Sequence, residues 1–159
     1  MFNIVLVHPQ IPQNTGSIGR ICVNTDTKLH IIKPIMFDLS EKAVRRAGMD
    51  YWKLLDLSVW ESLDDFLEVF GDKKERFFFA TTKTDKPYFD AKFQKGDFLF
   101  FGGESTGLPK KLMQLVPQNM ITIPMGSNGR SLNLSVAVGI VLYDAIRQNF
   151  TSQFFDIPQ

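Results

Sequence analysis

The sequence predicts an α/β domain built on a mostly parallel sheet with helices on both faces. Short apolar runs of buried-strand type alternate along the chain with segments of helical spacing, and several of the runs end in small-residue loops. Strands that alternate with helices are joined by crossovers, and crossovers cover both faces of a parallel sheet.

Taken in order, Asn3-Ile-Val-Leu-Val-His8 is the first apolar run, closed by Pro9 and Pro12. Within 14–25, Ile18, Ile21 and Cys22 recur at helical spacing, and Leu29-His-Ile-Ile32 before Pro34 reads as a second strand. Ser40 can cap a helix running through Ala43 and Val44 to the region of Gly48. Ser62-Leu-Asp-Asp65 has capping-box form ahead of Phe66, Leu67 and Phe70. Both read as surface helices. Further strands are expected over 76–81, 97–101 and 120–124, and the longest helix over 132–150. Residues 83–96, with Lys83, Lys86, Lys92 and Lys95 around Tyr88 and Phe89, read as a long polar loop. The 15 phenylalanines fall mostly in strands and amphipathic helices, as core residues do; Phe154 and Phe155 in the tail are the exception, free to dock on a partner subunit or to fray.

Composition sets bounds on function. The 159 residues are expected to form one domain over 1–159, with no additional RNA-binding domain, and are long enough to bury a real core. Hydrophobic content of 44% and charged content of 22% exclude a disordered chain. A formal net charge of +1 provides no overall basic field for nucleic acid, so a basic surface has to come from uneven distribution. The distribution is uneven: residues 20–53 hold seven Lys/Arg against four Asp/Glu, whereas 56–72 hold six acids and no base. The single cysteine, Cys22, excludes an intrachain disulfide and a Cys-rich zinc site and fits a reducing cytoplasm. His8 and His30 share no metal-ligand spacing and read as structural. The most apolar region, 132–143, is interrupted by Asn133, Ser135 and Gly139, so neither a membrane span nor a secretion signal is expected.

The segments that carry chemistry are loops. Phe101-Gly-Gly-Glu-Ser-Thr-Gly-Leu-Pro109 follows an apolar run, and Ile123-Pro-Met-Gly leads into Arg130-Ser-Leu-Asn-Leu-Ser135. Small residues after strands expose backbone N–H and C=O groups, the usual means by which an α/β sheet holds a flat polar cofactor. A dinucleotide fold would need Gly-x-Gly-x-x-Gly between strand and helix; Gly16 and Gly19 are spaced Gly-x-x-Gly, and Gly102 and Gly103 are adjacent. Taken alone, Gly102, Gly103 and Gly107 are also consistent with simple turn chemistry.

Together with Asn14-Thr-Gly-Ser-Ile-Gly-Arg20, these segments resemble, in order, the three motifs of the SPOUT superfamily, in its TrmH-like ribose 2′-O-methylating branch. The resemblance runs from Asn3 to about Arg147. It implies a C-terminal trefoil knot, which no periodicity argument would suggest because knotted chains are so rare. It implies S-adenosylmethionine as cofactor, with S-adenosylhomocysteine as product, held near Ala80, Gly102, Ile123 and Ser131 largely through main-chain atoms, and no metal. Arg20 stands at the family's arginine position, where it would polarise a ribose hydroxyl or fix an RNA phosphate that does so. Asn14 would fix its loop or the target nucleotide, and Ser131 and Asn133 would face the cofactor or cap the last helix. Glu104 would hold its loop by accepting backbone N–H bonds rather than act as a base. The brevity of the chain and Arg45-Arg-Ala-Gly-Met-Asp-Tyr51 are similar to the branch that methylates the wobble ribose, nucleotide 34, of certain leucine tRNAs. A homodimer with a composite site is implied, and its interface is expected to use the first and last helices, with the apolar set Val136, Ile140 and Tyr143. Action on another tRNA position or on rRNA, and RNA or cofactor binding without catalysis, remain as alternatives.

Overall fold

The computed structural model describes residues 1–40 and 50–150. The chain runs β1 (Asn3–Val7), α1 (Pro12–Asn24), β2 (Lys28–Ile32), β3 (Leu57–Trp60), α2 (Leu63–Phe70), β4 (Phe77–Ala80), β5 (Phe98–Gly102), α3 (Lys110–Met113), β6 (Met120–Ile121) and α4 (Leu134–Gln148), with 3₁₀ turns at Asp50–Leu54, Gly71–Arg76, Tyr88–Asp90 and Pro117–Asn119. The six strands form one sheet in the order β3-β2-β1-β5-β4-β6, every pair parallel. The helix expected from Ser40 to Gly48 and the Phe154-Phe155 pair lie outside the described residues.

Why the central strands read as unbroken apolar runs follows from the two layers that cover them. Successive side chains on a strand point to opposite faces. Ile4 and Leu6 of β1 enter a core with Ile18 and Cys22 of α1 and Val138, Val141 and Leu142 of α4. Val5 and Val7 enter the opposite core, with Phe66 of α2, Phe77, Phe79, Phe98 and Phe100 of the sheet, and Leu112 and Met113 of α3. Both faces are buried, so neither carries a polar alternation.

Several boundaries differ from the expectation for identifiable reasons. Helix α1 begins at Pro12 rather than after Asn14-Thr-Gly, because proline is pre-organised for a first helical position and surrenders only an N–H that a helix leaves unbonded there. Asn14, Thr15 and Gly16 are therefore helical. Strand β3 was not anticipated; its four residues form a sheet edge and alternate too briefly to register as an apolar run. Strand β6 is two residues long, and α4 starts at Leu134 with Asn133 as its N-cap. The expected capping interaction of α2 is present, with Asp65 N–H donating to Ser62 Oγ at 3.1 Å. Residues 83–96 are more than a polar loop: Ala91 and Phe93 are core residues, and Gln148 and Asn149 at the end of α4 bond to the backbone of Ala91 and Phe93.

Candidate functional site

Register brings the expected cofactor residues to one edge of the sheet. Ala80 pairs with Phe101 on one side and with Ile121 on the other, so the chain leaves β4, β5 and β6 at the same level. The loops that follow, with the start of α1 and the segment before α4, enclose a cavity of about 460 Å³. It lies outside the carboxyl ends of the strands, where open α/β sheets hold ligands. Two glycines shape its wall by close approach. A Cβ on Gly102 would run into the backbone of Gly107 and Leu108, and one on Gly103 would lie 2.6 Å from the His8 carbonyl oxygen. Gly107, at φ +65°, closes the same loop, its N–H donating to the Gly103 carbonyl at 2.8 Å.

A chain of hydrogen bonds ties three distant segments together beside this cavity. Glu104 accepts from Gln10 N–H at 2.7 Å, Ile11 N–H at 3.1 Å and Asn14 Nδ2 at 3.0 Å. Asn133 Nδ2 in turn donates to Asn14 Oδ1 at 2.9 Å, and Asn133 Oδ1 accepts from Ser135 N–H and Oγ at the start of α4. Each amide is thereby oriented, donating toward Glu104 and accepting from the α4 side. Partial burial pushes the Glu104 carboxyl upward, but the donors from Asn14, Gln10 and Ile11 outweigh it and hold the pKa below the ordinary value. The carboxylate thereby fastens Gln10, Ile11 and Asn14 to the loop after β5. Gln10 adds a second tie, its Oε1 accepting from Ser105 N–H and Oγ, both at 2.8 Å.

Comparison with known proteins accords with this layout. Residues 1–143 match the SpoU rRNA Methylase family. The chain belongs to that family. Among relatives of this SpoU domain, the tRNA (cytidine(34)-2'-O)-methyltransferase of Escherichia coli K12 is 43% identical over 149 residues, covering 93% of this chain and 94% of the relative. A solved structure concerned with the 2-OH methylation of C/U34 on tRNA is 40% identical, with a TM-score of 0.84, covering 94% of this chain and 96% of that one. The SpoU methyltransferase AviRb from Streptomyces viridochromogenes, solved in complex with the cofactor AdoMet, shares the fold at 23% identity, with a TM-score of 0.78, covering 92% of this chain and 60% of that one.

In the SpoU domain, Ala80, Gly102, Ile123, Ser131, Asn14 and Asn133 all line the one cavity. Arg20 does not. It lies exposed on α1 with its guanidinium carbon 4.8 Å from the centre of the Tyr51 ring. Gln10 and Tyr51 support this region without a local signal of their own, although Tyr51 closes the 45–51 stretch. His30 is fully buried among Trp60, Phe66, Phe70 and Phe98. Trp60 Nε1 donates to His30 Nδ1 at 3.1 Å, which leaves the proton on Nε2, 3.3 Å from Asn3 Oδ1. Burial first and the Lys28 charge second lower the His30 pKa to about 4, and burial pushes the Cys22 thiol up to about 12. Both are buried in the core and neither lines the cavity. Among the described residues no cluster of three or more His, Cys, Asp or Glu is placed to hold a metal ion, and no helix is long and apolar enough to cross a membrane.

Proposed function

We propose that this SpoU-family protein is an S-adenosylmethionine-dependent tRNA 2′-O-methyltransferase acting on the ribose of nucleotide 34, cytidine or modified uridine, in leucine tRNAs, in the cytoplasm and as a homodimer. The observation that carries the reading is the gathering of Ala80, Gly102, Ile123 and Ser131 around one cavity with Asn14 and Asn133. The names of the relatives support the nucleotide.

The residues fit the cofactor. A cavity of about 460 Å³ is within the ~300–1,000 Å³ usual for small-molecule sites. Glycines whose Cβ would collide with a neighbouring backbone leave a wall made of main chain, which can read an adenine edge and follow its flat face. Bound there, the cofactor supplies a methyl group on a sulfonium, open to attack by a hydroxyl. The protein's task is to hold a ribose 2′-hydroxyl in line and to ease the loss of its proton. Ala80, Gly102 and Ile123 would hold the cofactor through main-chain atoms, and Ser131 would close the cavity's rim. Asn14, fixed between Glu104 and Asn133, would orient the loop or the target nucleotide. Arg20 would place its cation against the negative charge that develops on the hydroxyl oxygen. Because Arg20 stands outside this chain's own cavity, the reading requires that a second protomer or the RNA itself join the two. In the same reading α4 passes through the loops after β4 and β5 as the core of a trefoil knot.

A second reading, action on rRNA, has the family's own description in its favour. Mapping 2′-O-methyl groups in tRNA and rRNA from cells lacking the protein separates the two. Loss at position 34 of leucine tRNAs is expected, whereas loss at an rRNA site with position 34 intact would overturn the proposal. Calorimetry that found no affinity for S-adenosylmethionine or S-adenosylhomocysteine, while NADH bound, would overturn both.

A further inference from the structure

We infer that Tyr51 is a positioning residue for Arg20, holding the guanidinium beside its ring and by a hydrogen bond to its hydroxyl, with the remaining N–H donors left for RNA or substrate. The inference rests on the reading of Arg20 given above. Its own support is geometric. The Arg20 guanidinium carbon stands 4.8 Å from the Tyr51 ring centre, within the ~6 Å at which a cation is drawn to an aromatic face. The platform is itself anchored, since the Tyr51 hydroxyl donates to the Gly16 carbonyl at 2.6 Å. Gly16 precedes Arg20 by one helical turn on α1, so anchor and cargo share a helix face. Beside them, a Cβ on Gly19 would lie 2.8 Å from Cζ3 of Trp52, which shows how closely the Asp50–Leu54 turn is laid on α1. Burial raises the Tyr51 phenol pKa against the opposing pull of the Arg20 charge and of the hydrogen bond that Arg20 makes to the hydroxyl.

Stacking matters because of what an exposed arginine otherwise does. Its long side chain samples many rotamers, and only a small share of them would present a donor to a fixed point. Contact with the ring and one hydrogen bond to its hydroxyl remove much of that freedom while leaving most of the five N–H donors for other partners. Tyr51 thus acts through Arg20 and touches no reacting atom.

The test is a double-mutant cycle read by single-turnover methylation of tRNA at saturating enzyme, with S-adenosylhomocysteine affinity measured alongside. Tyr51→Leu should slow methyl transfer about tenfold with cofactor affinity nearly unchanged, and Tyr51→Phe, which keeps the ring, should cost about threefold. In the Arg20→Ala background the Leu substitution should change the rate by less than about twofold, because its effect passes through the missing guanidinium. A wild-type rate for Tyr51→Leu, or the same loss with and without Arg20, overturns the positioning role. A wild-type rate for Arg20→Ala overturns the premise instead. Should the Leu variant fail to fold, the wild-type protein decides: the Arg20 Nε–H proton resonance should show a ring-current shift that Tyr51→Phe preserves, and its absence in the wild type overturns the stacking.

Discussion

At Glu104 a single carboxylate organises three stretches of chain, and its surroundings define what replacing it should do. Oε2 accepts from Gln10 N–H, and Oε1 from Ile11 N–H and Asn14 Nδ2. Glutamine would turn an amide donor toward at least one of those donors. Glu104→Gln should therefore cost about 1–2 kcal/mol of stability in urea unfolding and weaken S-adenosylmethionine binding by calorimetry, since the loop it fastens is a wall of the cavity. The carboxyl's pKa is lowered on folding, so its contribution is present above the unfolded-state pKa and is lost as pH falls through the still lower folded value. The gap between wild type and Glu104→Gln should accordingly persist at mildly acidic pH and close only below the usual carboxylate range. Arg20 makes the complementary prediction. If its cation supports the departing proton, Arg20→Ala should lower single-turnover methyl transfer by roughly 10²–10³-fold with cofactor affinity nearly intact, and Lys should rescue only in part because a point charge lacks the guanidinium fork. Transfer at the wild-type rate at saturating RNA would make Arg20 a binding residue.

Between elements, the strongest pH signature belongs to His30 of β2, which fills the space between the sheet and α2. Trp60 of β3 presents its only donor to Nδ1, so a proton there would set two donors against each other inside an aromatic cage. The folded-state pKa near 4 lies below the ordinary 6.5. Between those values the unfolded chain binds a proton that the folded chain does not, so stability falls as pH drops from about 6.5 toward 4 and is fully present above that window. Over the window the loss amounts to roughly 3 kcal/mol. His30→Gln, which can still offer Trp60 an acceptor, should flatten the slope of unfolding free energy against pH by about one proton; an unchanged slope in urea titrations from pH 7 to 4.5 would show that His30 does not titrate this way. Another junction, β4 with β5, is held by Arg76, which donates to Asp97 through Nε at 2.7 Å and Nη2 at 2.6 Å while Asp97 is 1% exposed. The Trp60–His30 bond ties the edge strand β3 to β2, and Arg76 Nη2 also donates to the Lys92 carbonyl at 3.3 Å, so β3 and the 83–96 segment are held without long apolar runs of their own.

For the whole molecule, the outward stripe of α4 is the surface to which the proposed homodimer assigns its interface. Val136 is 49% and Tyr143 53% exposed in the single chain, and Ile140 between them is half-buried. Spaced four and three residues apart, they share one face, away from Val138, Val141, Leu142 and Ala145 in the core. Sedimentation at tens of micromolar should find a dimer, and Tyr143→Asp should weaken it about tenfold or more by placing a charge in an apolar contact. A monomeric wild type would remove the stripe's proposed role and, with it, the second protomer as the route by which Arg20 reaches a cavity.

The sequence by itself determined the fold class, because burial on both faces leaves its mark: β1, β2, β4 and β5 are predominantly apolar with at least three consecutive buried residues each, and the helices between them carry a 3.6-residue period. It also singled out the loops that line the cavity, since small residues after strands are a local property. Tertiary structure alone decided the rest. Strand β3, four residues long, is a strand only because a neighbour offers its edge, and the strand expected over 120–124 pairs only at Met120–Ile121. Phe93 is core because α4 ends above it. Glu104, Asn14 and Asn133 are separated by 90 and 119 residues, and no local pattern encodes that they touch. Periodicity records whether a side chain is buried; only the path of the chain determines against what.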